Sequence, residues 1–229
     1  MTKLRITMAV VALLGAMLGF GSPARAQSVS VPTDSWAATG ADKLNEFDRD
    51  VFFFAGAFHT NYFGDSFTPW SAEWEHNYVI GGGYQQFFWR WGFVRFGGEV
   101  GIADRFVTDG NTSFGASLNS GELWAGAVAR FDGFDFGPVH ITPAITAGLS
   151  AVTGLIGQEA MRESTHPFDR FGLGGKLLYY LGPELDFSMP QYNPDLEVFV
   201  RLQHRSGGFG SIEDLDGSNA DVVGVRWKF

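Results

Sequence analysis

The sequence predicts an all-β fold, an eight-stranded antiparallel up-and-down transmembrane β-barrel. Three observations predict this class. Apolar and polar residues alternate at period two through much of the chain after Asp50, long connections take turns with short ones, and the chain stops on an aromatic residue, Phe229. A strand of an outer-membrane barrel faces lipid on one side and the lumen on the other, and longer external loops alternate with short periplasmic turns. The 229 residues fit one such domain.

The N-terminal segment has the three parts of an export signal. Lys3 and Arg5 form a basic start, an apolar run covers residues 6–20, and residues 24–26 form an A-x-A cleavage site. This apolar run is shorter than the ~20 residues that an anchor helix needs to span a bilayer. The predicted divisions of the chain are a signal peptide at 1–26, a periplasmic N-terminal extension at 27–49 with a short helix near 42–47, and an outer-membrane barrel at 50–229.

The alternation places the strands in order. The third strand is the clearest, because apolar residues from Val94 to Ile102 alternate with Arg95, Gly97 and Glu99. The predicted strands are 51–60, 78–88, 93–106, 122–131, 140–151, 171–181, 196–206 and 222–229. The predicted long loops are 61–77, 107–121, 153–169 and 207–218, and the shorter turns are 89–92, 132–138 and 182–194. An even strand count with this alternation puts both ends of the barrel on the periplasmic side.

The faces opposite the apolar rows carry charges of both signs. They are Arg95, Glu99, Glu122, Lys176, Glu197, Arg201 and Arg226. Charges that converge inside a narrow lumen have to pair, since an unpaired buried charge is costly. The sequence therefore predicts a lumen filled with ion pairs, which argues against a pore and against a barrel that holds an acyl chain inside.

Composition excludes several partners. The formal net charge of −9 argues against nucleic acid as a ligand. The chain has no cysteine, so no disulfide supports the fold. Glu73, Glu75 and His76 crowd one predicted loop, but their spacing matches no common metal motif, and no metal or other cofactor is predicted.

The residues that could carry chemistry lie at one rim. His204 and Ser206 are two apart in one strand, so their side chains share the lipid-facing side with Cα atoms ~6.5 to 7 Å apart. A general base beside a hydroxyl is the minimum for nucleophilic attack on an ester. A polar collar where the strand leaves the hydrocarbon accounts for the same two residues, and both interpretations stay open on composition alone.

The same stretch resembles a known family. The run HRSGG at 204–208 near the end of the penultimate strand, a loop rich in glycine and aspartate, GSN at 217–219 and a last strand ending RWKF resemble the lipid A 3-O-deacylases. That family consists of eight-stranded outer-membrane barrels whose His-x-Ser site lies outside the barrel at the outer-leaflet boundary. The resemblance covers about the last thirty-five residues. It implies Ser206 as nucleophile, His204 as general base and an acyl ester of lipid A as substrate.

Two further parts of the site follow from the resemblance. The family has asparagine directly after the serine, where this chain has Gly207, so the predicted oxyanion donors are the backbone N–H groups of Gly207 and Gly208. The family also orients its histidine with a carboxylate on the last strand. The matching position here is Asn219, and Asp221 on the same face is the second candidate. Asp216 in the loop could also reach back.

Three functions are weighed on this basis. The first is an outer-membrane serine esterase that removes an ester-linked acyl chain from lipid A of lipopolysaccharide. The second is a non-catalytic small barrel with a structural or adhesive role, and the third is another lipid A-modifying barrel, such as an oxidase or acyltransferase. The expected location is the bacterial outer membrane after signal-peptide export. The expected partner is lipopolysaccharide of the outer leaflet, and a homodimer is left open.

Overall fold

The computed structural model describes residues 49–66, 72–165 and 169–229. The predicted signal peptide, the helix near 42–47 and all but the last residue of the predicted extension lie outside these residues. The strands in chain order are β1 (Arg49–His59), β2 (Trp74–Trp91), β3 (Val94–Val107), β4 (Asn119–Phe131), β5 (Phe134–Phe136), β6 (Val139–Val152), β7 (Leu177–Met189), β8 (Asn193–Ser206) and β9 (Ser218–Lys228). One α-helix, α1 (Gly157–Thr165), lies between β6 and β7.

Eight of these strands close into a barrel. Each pairs antiparallel with its neighbours in chain order, β4 pairs with β6, and β9 pairs with β1 to close the ring. The short strand β5 forms a small hairpin with the start of β6. The predicted eight-stranded antiparallel up-and-down barrel is therefore confirmed. No helix among the described residues is long and apolar enough to cross a bilayer.

The two ends of the barrel differ. Both termini of the described barrel and the short turns lie at one end, here the turn end. Four long connections lie at the other, the loop end: L1 (60–73), L2 (108–118), L3 (153–176) and L4 (207–217). This alternation is the architecture of outer-membrane barrels, in which the long loops are external.

The alternating pattern sorts the side chains onto two faces. The outward face is apolar over the middle of the barrel, with exposed Phe53, Ile80, Val100, Ile102, Leu123, Ile145, Leu149, Leu185, Val200 and Trp227. The inward face carries buried aromatic and charged groups. Phe52, Phe54, Trp124, Tyr180 and Phe199 pack together in the lumen.

The charged groups of the lumen form two ion-pair clusters. Nearer the turn end, Arg130, Arg201 and Arg226 pair with five acids: Asp50, Glu99, Glu184, Asp186 and Glu197. Nearer the loop end, Arg105 and Arg205 pair with Glu122 and Glu159. The predicted pairing is confirmed for Glu99, Glu122, Glu197, Arg201 and Arg226. The side chains leave the lumen filled rather than open.

Helix α1 covers the lumen at the loop end. Its Glu159 is fully buried and contacts both Arg105, at 2.7 Å, and Arg205. A buried carboxylate between two guanidinium groups is held firmly, since removing one partner would leave an uncompensated charge. The helix was not predicted, because its anchor is a buried ion pair and not an apolar stripe.

Three sequence predictions are wrong. The predicted sixth strand 171–181 is shifted, because 171–176 belongs to L3 and β7 continues through Gly182 and Pro183 to Met189. Pro183 lacks an N–H, and the ladder between β7 and β8 is interrupted beside it, so a strand was mistaken for a turn. As a result, Lys176 is exposed in L3 and not in the lumen. The predicted turn 132–138 contains strand β5.

Candidate active site

The candidate site lies on the outer wall of the barrel where β8 and β9 reach the loop end. His204 on β8 is paired with Asn219 on β9 in the ladder, and both side chains point outward. The imidazole Nδ1 lies 2.7 Å from the Asn219 Oδ1. Both residues are buried, although they are on the outer face. Asn219, the first of the two candidate partners of His204, is therefore in contact with it.

A second hydrogen bond fixes which way the Asn219 amide faces. Its Nδ2 donates to the backbone carbonyl of Asn61 in L1, at 2.7 Å, and a carbonyl can only accept. The Oδ1 therefore faces His204, and the imidazole Nδ1 must carry the proton. The Nε2 of His204 is then the basic nitrogen, which is the tautomer that a general base needs.

Loop L1 covers this pair from outside. After Asn61 the chain forms a single 3-10 turn, Phe63–Asp65, and the Phe63 ring lies 4.5 Å from the His204 ring, centroid to centroid. The Ser66 hydroxyl donates to the Tyr62 carbonyl and closes the turn. The turn explains how a histidine on the outer face is only 6% exposed. The sequence predicts L1 only as a long external loop and gives no sign that it folds back over the barrel wall.

Ser206 is the last residue of β8 and lies one rung closer to the loop end. It faces outward and pairs with Tyr179 of β7. Within residues 49–66, 72–165 and 169–229, no hydrogen bond joins the Ser206 hydroxyl to His204. Residues two apart on one strand face are ~6.5 to 7 Å apart at Cα, so the two side chains are neighbours on the outer face.

His204 and Ser206 line one groove on the outer wall, with a volume of about 630 Å³. Its apolar walls come from Phe63 of L1, from Tyr179 and Leu181 of β7 and from Phe209 and Leu215 of L4; Asp214 and Asp216 line its loop-end margin. The groove opens along the lipid-facing side of the barrel.

The two predicted oxyanion donors, the N–H groups of Gly207 and Gly208, differ in their hydrogen bonding. The N–H of Gly207 donates to the Leu215 carbonyl at 2.7 Å, so that group is already used and the prediction for Gly207 is wrong. A Cβ at Gly207 would lie 1.8 Å from the Glu213 carbonyl oxygen, which explains why glycine stands where the resembling family has asparagine. Gly208 lines the groove with a φ of +62°, and its N–H stays a predicted donor.

Asp221, the second candidate partner of His204, lies elsewhere. It pairs in the ladder with Leu202, and its carboxylate is 3.8 Å from His59 Nε2. His59 is buried, and its ring forms a T-shaped contact with the Trp74 ring at 5.7 Å between centroids. Among the described contacts, Asp221 therefore belongs to a separate polar pair next to the site and does not orient His204.

Arg162 of α1 holds the loops around the site together. Its guanidinium donates to the carbonyls of Asp216 and Gly217 in L4, at 2.6 and 3.0 Å, and to that of Thr60 in L1, at 2.7 Å. It also lies 4.8 Å from the centre of the Tyr62 ring. One side chain thus connects the segments that carry Asn61 and Ser218–Asn219. This role was missed, because a lone arginine in a loop gives no sequence signal.

Two acids organise L3 and its contact with L4. Asp169 accepts the N–H groups of Gly174, Phe171 and Gly172, and the Gly174 bond in particular lowers its pKa. The Glu213 carboxylate accepts the N–H of Gly175 at 2.8 Å, and burial raises its pKa. These contacts hold the L4 backbone that follows Ser206.

The described residues contain no group of three or more histidine, cysteine, aspartate or glutamate side chains that could hold a metal ion. Glu75, considered from the sequence, accepts hydrogen bonds from the Asn77 amide and from the Gln158 N–H at 3.0 Å. It helps to seat α1.

Comparisons with known proteins give similarity of structure only. No protein-family model matches the sequence, and no curated protein matches it. The outer membrane enzyme PagL is 15% identical with a TM-score of 0.47, and the match covers 78% of this chain and 98% of that one. Neisserial surface protein A (NspA) is 17% identical with a TM-score of 0.43, covering 84% and 99%. Ail, the attachment invasion locus protein of Yersinia pestis, is 10% identical with a TM-score of 0.37, covering 80% and 98%.

Proposed function

We propose that this protein is an outer-membrane serine esterase that removes an ester-linked acyl chain from lipid A of lipopolysaccharide. The observation that carries the proposal is the hydrogen-bond chain from His204 through Asn219 to the Asn61 carbonyl. This chain leaves Nε2 of the imidazole as the basic nitrogen in a groove that Ser206 also lines. The same chain gives His204 the tautomer that a general base for Ser206 needs.

The reaction uses these groups in order. His204 Nε2 takes the proton of the Ser206 hydroxyl as the Oγ attacks the ester carbonyl, and the carbonyl electron pair moves to the oxygen. Collapse of this intermediate expels the sugar alkoxide, which takes the proton from His204, and leaves the acyl chain on Ser206. Water, activated by the same imidazole, then releases the fatty acid.

The surroundings support a lipid substrate. The groove lies on the outward wall at the loop end, which is the external end in barrels of this architecture. Below it the wall is apolar, with exposed Leu185 and Val200 on the neighbouring strands. The lumen is filled by ion pairs and aromatic rings, so the substrate has to approach from the membrane side. An ester at the head-group boundary of the outer leaflet has this position, and the resemblance at 204–208 points to lipid A.

The test is the lipid A mass spectrum of cells that produce wild-type protein, compared with cells that produce Ser206→Ala at the same outer-membrane level. The expected result is loss of one hydroxyacyl chain with wild type only. Unmodified lipid A in both strains would contradict the proposal and favour a structural or adhesive barrel. A different mass change would favour another lipid-modifying reaction.

A further inference from the structure

The proposed esterase needs hydrogen-bond donors for the oxyanion that forms on the ester carbonyl. The sequence offered two backbone N–H groups for this role, and one of them is taken. The Gly207 N–H donates to the Leu215 carbonyl inside L4. Asn219, the nearest side-chain amide, is also committed, since its Nδ2 donates to Asn61. A donor is therefore missing from the β8 and β9 side of the groove.

Tyr179 of β7 also lines the groove. It lies directly across from Ser206 in the ladder between β7 and β8, and both side chains face outward. Directly opposite residues on one face of an antiparallel pair have Cβ atoms ~4.5 to 5.5 Å apart. Tyr179 is therefore the nearest cross-strand neighbour of the proposed nucleophile.

The ring of Tyr179 is held at the groove by L4. A Cβ at Gly208 would lie 2.5 Å from the Cε2 atom of this ring, so the ring occupies space that only glycine leaves open. Tyr179 is 42% exposed and lines the groove together with Ser206. In the part of the chain that the structure describes, its hydroxyl forms no hydrogen bond, whereas the lumen tyrosine Tyr180 contacts Arg201. The Tyr179 hydroxyl is thus available to a bound molecule.

We propose that Tyr179 is a further catalytic residue, whose hydroxyl donates a hydrogen bond to the oxyanion of the intermediate on Ser206. The inference rests on the proposed function. In the step concerned, the bond from Ser206 Oγ to the carbonyl carbon forms, the serine proton passes to His204, and the carbonyl electron pair moves to the oxygen. Tyr179 keeps its proton and stabilises the new charge, together with the N–H of Gly208. Tyrosine hydroxyls are among the side-chain donors that serve this purpose.

The alternative is that Tyr179 acts only as an aromatic wall residue. Tyrosine is common at membrane interfaces, where the ring contributes apolar contact and the hydroxyl meets water. Phenylalanine preserves the ring and its contact with Gly208 but removes the donor. The two roles therefore predict different results for a single substitution.

The experiment compares purified wild-type protein with Tyr179→Phe in detergent micelles. The matched control is Tyr192→Phe, which removes a hydroxyl from an exposed tyrosine in the turn between β7 and β8 at the far end of the barrel. Two readouts are used: hydrolysis of lipid A, resolved into kcat and KM, and the rate at which an alkyl fluorophosphonate labels Ser206. Thermal unfolding of each variant confirms that the barrel is intact.

Loss of one oxyanion donor lowers kcat by ~10²- to 10³-fold. We expect this fall for Tyr179→Phe, with KM unchanged and with slower labelling of Ser206, and no change for Tyr192→Phe. Active wild type with an equally active Tyr179→Phe would overturn the inference and leave the esterase standing. A KM increase alone would also overturn it, because the ring would then act in binding. Wild type that neither hydrolyses lipid A nor labels at Ser206 would overturn the esterase, and the inference with it.

Discussion

His204 is oriented by an amide and not by a carboxylate. An amide in this role fixes the ring and its tautomer but does not carry a charge to stabilise the imidazolium. Asn219 can do so only because its own orientation is fixed by the Asn61 carbonyl. The proposed base therefore depends on a residue of L1 that takes no part in the chemistry.

Substitution of Asn219 by alanine tests this dependence. General-base catalysis contributes ~10²- to 10⁴-fold, and much of it is lost when the imidazole is no longer held in the correct tautomer. We expect kcat for ester hydrolysis to fall by at least ~10²-fold with little change in KM. The measurement is steady-state kinetics with purified protein.

The control is Asp221→Asn, because the Asp221 carboxylate lies against His59 and not against His204. We expect its activity to stay within a few-fold of wild type. A large loss in Asp221→Asn together with an active Asn219→Ala would reverse the assignment and show that Asp221 orients the histidine.

Much of this site could be predicted from the sequence, since period-two alternation alone puts His204, Ser206 and Asn219 on one face. The choice between Asn219 and Asp221 could not, because it depends on the register between β8 and β9. That register is set by L4, where Gly217 packs so closely that a Cβ would lie 1.9 Å from the Arg205 carbonyl oxygen. A contact of this kind leaves no periodic signal.

Loop L4 is tightly packed around Gly207. Gly207 follows the proposed nucleophile directly, and its N–H, its carbonyl and its Cα all contact the return of the same loop at Ile212 to Leu215. The loop is thus a compact turn on which the position of Ser206 depends.

Gly207→Ala is expected to destabilise the barrel. The new Cβ would meet the Glu213 carbonyl oxygen at 1.8 Å, and crowding of a packed site costs ~1 to 3 kcal/mol. We expect a lower free energy of unfolding and slower labelling of Ser206. The matched control is Gly121→Ala in β4, where the nearest atom would be 3.7 Å away. Equal stability of the two variants in denaturant titrations would contradict the account of L4.

The strands show where element-level prediction fails. Seven of the eight barrel strands were located from alternation, but β7 was placed too early. Gly182 and Pro183 look like a turn in sequence, whereas in the barrel Gly182 makes room for the Tyr180 ring and Pro183 faces outward beside a gap in the ladder. Helix α1 is not predicted by the sequence, because charged residues such as Glu159 and Arg162 usually lie at the surface. In the structure both are buried and anchor the helix.

The stability of the whole barrel depends on the charges of the lumen. Arg226 contacts Glu184 at 2.8 Å, Asp50 at 3.1 Å and also Asp186. The partners are almost completely buried. No single partner can be removed without leaving an uncompensated charge inside the barrel.

The substitution Arg226→Met tests whether the stability of the barrel depends on the lumen charges. Removal of one partner from a buried ion pair costs ~3 to 5 kcal/mol, because the remaining charges are uncompensated. We expect a loss of that size in the free energy of unfolding of the detergent-solubilised barrel. Arg90→Met is the matched control, since Arg90 and Asp132 form a half-exposed pair worth ~0 to 1 kcal/mol. Similar losses in both variants would show that the lumen network contributes no more than a surface pair.

The hydrogen bond from Asn219 to Asn61 connects the last strand of the barrel with the loop that follows the first strand. Asn61 follows the first strand and Asn219 begins the last, so this bond forms only when those strands meet and the ring closes. Before closure, the chain carries the serine and the histidine, but the Asn219 amide has no Asn61 carbonyl to fix its orientation. On the proposed function, closure of the ring is therefore the folding step that completes the active site.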